Sequence, residues 1–225
     1  MSSYGWGKNL IPPSNAEIDY SHPLMQGCKL LLLPNPYGIW QDRSQYRIGY
    51  VSGVPYNLTY QTKGYYMPGD IGSTTIHNTI NLIDFNPCTY QIINIPYNNS
   101  NLHMLINSRG SYGISLNTTS ANPFAYQFSN IGGNSAITPA IYQYGVKYDA
   151  VFCSPNTSTD YVYVNGILMG STSSSLYQQG TNYSIGSGNH GGISGREFYG
   201  IFEKIQFWGR ALSPAEIEWL YQEPY

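Results

Sequence analysis

Apolar and polar positions alternate with a period of two over residues 160–164. Val162 and Val164 share one face, and Tyr161 and Tyr163 the other. That is the period of a strand whose side chains point alternately to opposite faces of a sheet. Asn165-Gly166 follows, two residues that tolerate positive φ, as a type I′ hairpin turn requires. Residues 167–169 then return as the partner strand. Similar short runs recur from Gly27 onward at intervals of about ten residues, separated by turn residues, the pattern of an antiparallel sandwich or barrel. One is Cys28–Leu33, ended by Pro34-Asn35-Pro36, and another is 65–67, ended by Pro68-Gly69. A threonine- and isoleucine-rich run covers 74–83, and 88–95 follows Asn86-Pro87. His103–Ser108 and Tyr112–Asn117 flank Arg109-Gly110-Ser111 as a hairpin. Weaker runs lie at 125–128 and 140–142, and a polar loop joins 148–153 to 160–164.

The last apolar run breaks its own alternation. Phe198, Gly200 and Phe202 keep one parity, while Ile205 and Phe207 keep the other. A strand cannot change parity without an extra residue, so a β-bulge is expected near Glu203-Lys204. The period then switches to that of a helix. Ser213 is placed as N-cap, Pro214 in the first helical position and Glu216 as the return arm of a capping box, with Leu212 and Ile217 as the hydrophobic staple. The helix is expected to reach about Gln222, before Pro224, and to dock Ile217, Leu220 and Tyr221 on the sheet. Its role is read as structural. Residues 1–26 show no sustained period and carry Gly5, Gly7, Pro12, Pro13 and Pro23, so they are read as an extended arm ahead of one domain over 27–225.

Composition narrows the function classes. Only 10% of the 225 residues are charged, against about a quarter in an average soluble protein. Hydrophobic residues make up 41%, and 23 residues are Tyr, so the chain is not of the disordered class. A net charge of -2 leaves no electrostatic footprint for nucleic acid or an anionic membrane, and neither is expected as a partner. The surface is expected to be neutral and polar, binding through hydrogen bonds and ring stacking. Cys28, Cys88 and Cys153 are odd in number and widely spaced, and are read as small buried hydrophobes rather than a disulfide or zinc framework. The opening residues lack the apolar core of a signal peptide.

Four segments in sequence order carry a family resemblance: Tyr163-Val164-Asn165-Gly166, Ser184-Ile185-Gly186, the run from Phe198 to Trp208, and Arg210-Ala211-Leu212-Ser213 with Glu216-Ile217. In this order and spacing they resemble the C-terminal half of the laminin-G-like, concanavalin A-like jelly-roll family. One departure is Glu203, where the family usually has Asp. The resemblance implies an all-β, antiparallel jelly-roll sandwich with a short C-terminal helix. The chain's ends add a second layer. Residues 18–27 with Pro34-Asn35-Pro36-Tyr37-Gly38, and the closing residues 220–225, resemble jelly-roll proteins that tailed bacteriophages encode as virion proteins. Trp40-Gln41-Asp42-Arg43-Ser44 occupies the place of a loop that in that group contains Gly, absent here. This second resemblance implies a location in the virion, contacts with other virion proteins such as the major capsid protein, and a glycan partner on cell surfaces or in mucus. A homo-oligomer would suit a symmetric particle.

The same residues bear on catalysis. Retaining glycoside hydrolysis needs two carboxyl groups about 5 Å apart in one groove. The nearest pattern, Glu17-Ile18-Asp19, has no second Glu and falls in the arm. Glu197 and Glu203 lie on opposite parities, and no Gly-x-Ser-x-Gly elbow occurs. No catalytic residue is therefore expected, and no cofactor. Calcium stays open through Asp42, Asp149 and Asp160, although none belongs to an Asp-rich run. The loop residues chosen as ligand contacts are Trp40, Asp42, Arg43, Asn189, His190 and Arg196. Trp6, Leu10, Ile11, Pro12 and Pro13 are expected to anchor the arm on a virion partner. The alternatives are a carbohydrate-binding domain of a cellular surface protein and a polysaccharide depolymerase on the same fold.

Overall fold

The computed structural model describes residues 18–33, 41–44, 49–52, 59–61, 64–68, 74–78, 87–97, 103–108, 112–117, 125–129, 135–139, 142–156, 158–173, 182–185 and 198–222. A 3-10 turn at Pro23–Met25 precedes the first strand. The strands are β1 (Cys28–Leu33), β2 (Gln41–Asp42), β3 (Gly49–Ser52), β4 (Thr59–Gln61), β5 (Gly64–Pro68), β6 (Thr74–Asn78), β7 (Cys88–Pro96) and β8 (His103–Ser108). They continue as β9 (Tyr112–Asn117), β10 (Ala125–Ser129), β11 (Ser135–Ile137), β12 (Tyr148–Ser154), β13 (Thr159–Val164), β14 (Ile167–Ser173), β15 (Asn182–Ile185) and β16 (Tyr199–Trp208). Helix α1 (Pro214–Gln222) closes the described chain.

The strands hydrogen-bond in the order β11-β10-β9-β8-β15-β6-β3-β2-β1-β16-β7-β12-β13-β14, with β5 also on β16 and β4 on β5. Among the described residues the pairings are antiparallel. The path folds back on itself, so that β10 and β11 at one end lie against β13 and β14 at the other. This is the jelly-roll sandwich. β7 and β12 are buried along their whole length. Because side chains alternate across a strand, burial of every position means that both faces are covered. Ile92, Phe152, Phe202 and Phe207 are among the residues facing the sandwich interior. The opposite face carries a second apolar cluster of Val151, Cys153, Tyr163 and Trp208, under Ile217 and Leu220 of α1 and Leu24, Met25 and Cys28 of the N-terminal approach.

That approach is tied down by two side chains, Arg210 and Trp208. Arg210 donates from Nε to the Gln26 carbonyl (2.8 Å) and from Nη2 to the Pro23 carbonyl (3.3 Å), while its guanidinium pairs with Glu216 at 2.7 Å. Trp208 Nε1 donates to the Leu24 carbonyl at 2.6 Å. Residues 18–26, read from the sequence as the end of an arm, thus supply Leu24 and Met25 to this cluster; residues 1–17, with Trp6, Leu10, Ile11, Pro12 and Pro13, lie outside the described residues.

Most local signals are realised. Asn165 and Gly166 have φ of 52° and 79°, the two positive values of the expected hairpin turn. The register of β16 against β7 shifts between Phe202 and Lys204, where the parity break required a bulge. Ser213 N donates to Glu216 Oε2 (2.8 Å) and Glu216 N to Ser213 Oγ (3.3 Å), which completes the capping box. Replacing Ser213 by Ala is expected to cost about 1 kcal/mol, read as a lower midpoint in urea with an unchanged slope.

Two expectations need correction, and some strands formed where none was expected. The run at 140–142 is not a strand where it is described: Tyr142 lies outside any strand, and the strand nearby is β11, ended before Pro139, which has no N–H to give a ladder. β2, β3 and β4 formed from short polar segments that carry no alternation of their own. Tyr221, expected to dock on the sheet, keeps 39% exposure.

Candidate functional site

The outer face of the β12-β7-β16 layer carries a row of polar side chains beside its apolar cluster. Register places Gln91 between Val151 and Gln206, and Ile93 between Asp149 and Lys204. All four polar residues are buried. Gln91 Nε2 donates to Asp149 Oδ2 at 2.7 Å, and Gln206 Nε2 donates to Cys28 Sγ at 3.4 Å. Burial pushes the Asp149 carboxyl up to about 6, against the pull of Lys204. Burial likewise pushes the Lys204 ammonium down to about 8, against the pull of Asp149. At the rim, Lys147 pairs with Glu203, the extra residue of the bulge. The Asp149 N–H donates to Asn165 Oδ1 (3.0 Å), and the Asn165 N–H to the Asp149 carbonyl (2.8 Å), so the hairpin turn is bolted to this row. Buried this deeply, the row meets no polymer in solution and acts on stability.

Of the expected ligand contacts, Asp42 and Arg43 are described; Trp40, Asn189, His190 and Arg196 lie outside the described residues. Asp42 is 4% exposed and its Oδ1 accepts from the Leu31 N–H (3.1 Å) and the Ser44 N–H (2.8 Å). A carboxylate engaged by two backbone donors holds a turn. Arg43 is half-buried, and its carbonyl accepts from the Tyr20 hydroxyl at 3.0 Å. For calcium, Asp149 has an amide donor and ammonium charges around it, the wrong chemistry for a cation, and Asp160 is fully buried. Among the described residues no three His, Cys, Asp or Glu side chains converge. The described cysteines are buried free thiols, with Cys28 pushed up to about 11 by desolvation.

Among the described residues, Ile167, Leu168, Trp219 and Tyr221 are exposed large apolar side chains on helix α1 and at the tip of the β13-β14 hairpin. Trp219 is 37% exposed and stacks on the His22 ring, with centroids 4.7 Å apart and 24° between planes. The imidazole is itself held, since His22 Nδ1 accepts from the Leu24 N–H at 3.2 Å. Tyr221 lies against the Gly166 turn, close enough that a Cβ at 166 would sit 3.2 Å from the tyrosine Cβ. Gln222 Nε2 donates to Glu218 Oε1 at 3.0 Å on the solvent side of the helix. Sequence reasoning read α1 as structural, and Ile217 and Leu220 do pack on the sheet; the exposed rings on the helix were not singled out. The available signal was Trp219, an aromatic residue one position away from the buried pair Ile217 and Leu220 and off their stripe.

Three comparisons bear on this fold. A search of curated proteins finds no match. Among solved structures, domain 4 of AbnA, an extracellular GH43 arabinanase from Geobacillus stearothermophilus in complex with arabinotriose, superposes with a TM-score of 0.66 at 13% identity, covering 87% of this chain and 98% of that one. Trypanosoma rangeli sialidase in complex with 2,3-difluoro-KDN gives 0.66 at 15% identity, covering 87% of this chain and 32% of the enzyme. The binding domain of botulinum neurotoxin DC, in complex with SialylT, gives 0.60 at 13% identity, covering 88% of this chain and 51% of that one. The chain thus spans about a third of the sialidase and half of the toxin domain. At such identities the likeness is one of fold, a fold used by binding domains and by parts of glycosidases alike. The family model of the concanavalin A-like lectin/glucanases superfamily matches residues 72–218, more than half of the chain. With the jelly-roll topology and the hairpin, bulged strand and capped helix in their expected order, this chain belongs to the concanavalin A-like lectin/glucanases superfamily.

Proposed function

We propose that this protein is a non-catalytic glycan-binding component of a phage virion surface. The observation that carries the glycan reading is the pairing of a lectin-like sandwich with a charge-poor chain whose exposed aromatic rings are seated on rigid neighbours, Trp219 on His22 and Tyr221 on the Gly166 turn. Rings fixed in place lose little entropy when they stack on the apolar face of a sugar. The neighbours that bind arabinotriose and SialylT support the same reading. Among the described residues, the engagement of Asp42 on backbone N–H groups, Asp149 on Gln91, Glu203 on Lys147 and Glu216 on Arg210 speaks against hydrolysis. The virion reading rests on the two ends of the sequence, with residues 1–17, ahead of the docked segment 18–26, as the part that would meet the capsid protein.

Two measurements test the proposal. On a glycan array the purified protein is expected to retain a defined set of saccharides without releasing reducing sugar; release would make it a depolymerase, and an empty array would remove the glycan half. Mass spectrometry of purified particles is expected to find the chain at a stoichiometry set by capsid symmetry, and its absence from particles would remove the virion half.

A further inference from the structure

The outer face of α1 has the parts of a saccharide subsite. Residues three and four apart on a helix are surface neighbours, so Trp219 lies beside Ala215 and Gln222, and Gln222 beside Glu218. Ile217 and Leu220 face the sheet, which turns Ala215, Glu218, Trp219 and Gln222 to the solvent side. The indole is backed by His22 at 4.7 Å, and His22 is held by the Leu24 N–H, so the ring has one orientation. The Glu218 carboxylate and Gln222 amide, hydrogen-bonded to each other at 3.0 Å on the exposed side of the helix, present an acceptor and a donor to the solvent there. Ala215, exposed and one turn back, leaves the space beside the indole clear of a long side chain.

The charge around this platform selects among sugars. Glu218 is exposed, Asp19 is on the segment that carries His22, and Arg210, the cation at the junction of that segment with the helix, is already paired with Glu216. An anionic sugar would meet these carboxylates first. A neutral one offers hydroxyl groups that donate to Glu218 and accept from the Gln222 amide.

We infer that the Trp219 platform, edged by Glu218 and Gln222 and floored by His22, binds a neutral saccharide and rejects sialylated ones. This rests on the glycan-binding reading above and adds the site and the ligand class. The probes are neutral arabino- and gluco-oligosaccharides and sialyllactose, titrated against the full chain by calorimetry. Wild type is expected to bind a neutral probe and not sialyllactose. Trp219→Ala is expected to weaken that binding about tenfold, the loss of one stacked ring, and Trp219→Phe to recover part of it. Should Trp219→Ala unfold, Ala215→Gln decides: it keeps the helix and places a side chain where the sugar would lie, with a comparable loss expected. A wild type that binds neutral saccharides no better than both variants overturns the site and leaves the glycan function standing. Tighter binding of sialyllactose overturns the ligand class. No binding of any probe, in titration or on the array, overturns both the inference and the function on which it rests.

Discussion

Gly200→Ala is expected to unfold the protein or to cost on the order of 4 kcal/mol, a large share of the roughly 5–15 kcal/mol that holds a domain together. Gly200 has a φ of +152°, a backbone state that an L side chain rarely adopts. Lack of space weighs more than the backbone strain. A methyl group at 200 would overlap the carbonyl oxygen of Ile95 and lie 2.7 Å from Phe198 Cζ. Ile95 belongs to β7, the partner of β16, so the overlapping atom is backbone and cannot swing away. Phe198 is no freer, being fully buried and stacked on Phe202 with centroids 4.3 Å apart. Relief would need β16 and β7 to move apart at the centre of the sheet, breaking their ladder. Gly145→Ala is the control. Its φ is +75° but nothing lies within 4 Å, so only the backbone strain remains, about 1 kcal/mol. Urea denaturation of both variants separates strain from overlap. Equal losses in the two would mean that sterics at Ile95 play no part.

The second large effect concerns the buried charges. Lys204 is the strongest opposing charge acting on Asp149, and Asp149 on Lys204. Removing one partner withdraws the charge that favours the other's ionised form in a desolvated site, so Lys204→Met and Asp149→Asn are each expected to cost about 3 kcal/mol at pH 7. The double variant is expected to lose less than the sum, because neither orphan charge remains. The pH profiles of the two single variants run in opposite senses. Asp149 has a folded pKa raised from 3.8 to about 6, so its contribution favours folding in acid and is lost as pH rises through 6. Lys204→Met, which removes the opposing cation, therefore shows a small deficit at about pH 5 and a full one at about pH 7. Lys204 has a folded pKa lowered from 10.5 to about 8, so its contribution favours folding in base and is lost as pH falls through 8. The deficit of Asp149→Asn accordingly shrinks from about pH 7 to about pH 9. Stability curves that are flat in pH, or strictly additive variants, would overturn this coupling of the pair.

Much of the fold was legible because its signals are local. The turn at Asn165-Gly166 needs only two residues with positive φ, and the bulge at Glu203 follows from counting parity along one strand. The capping box closes within four residues. The short strands β3 and β4 were not legible, since their partners in the sheet, rather than their own alternation, define them. Asp42 shows the same limit at the level of a site. Its sequence neighbours read as a loop reaching for ligand, while its carboxylate is held by the N–H of Leu31, eleven residues earlier.

By itself, then, the sequence determined the antiparallel all-β class and the helix after the last strand, and it carried the family resemblance. The class and the helix are written in period and capping over a few consecutive residues, and the resemblance is carried by four short motifs. Only the tertiary structure decided that Lys204 and Asp149 share one buried face, that Arg210 clamps residues 23–26 to the helix, and that Trp219 rests on His22. Those contacts join residues dozens to nearly two hundred positions apart. No local pattern carries them, because they exist only once the sheets have closed and brought residues 22–26 beside 208–219.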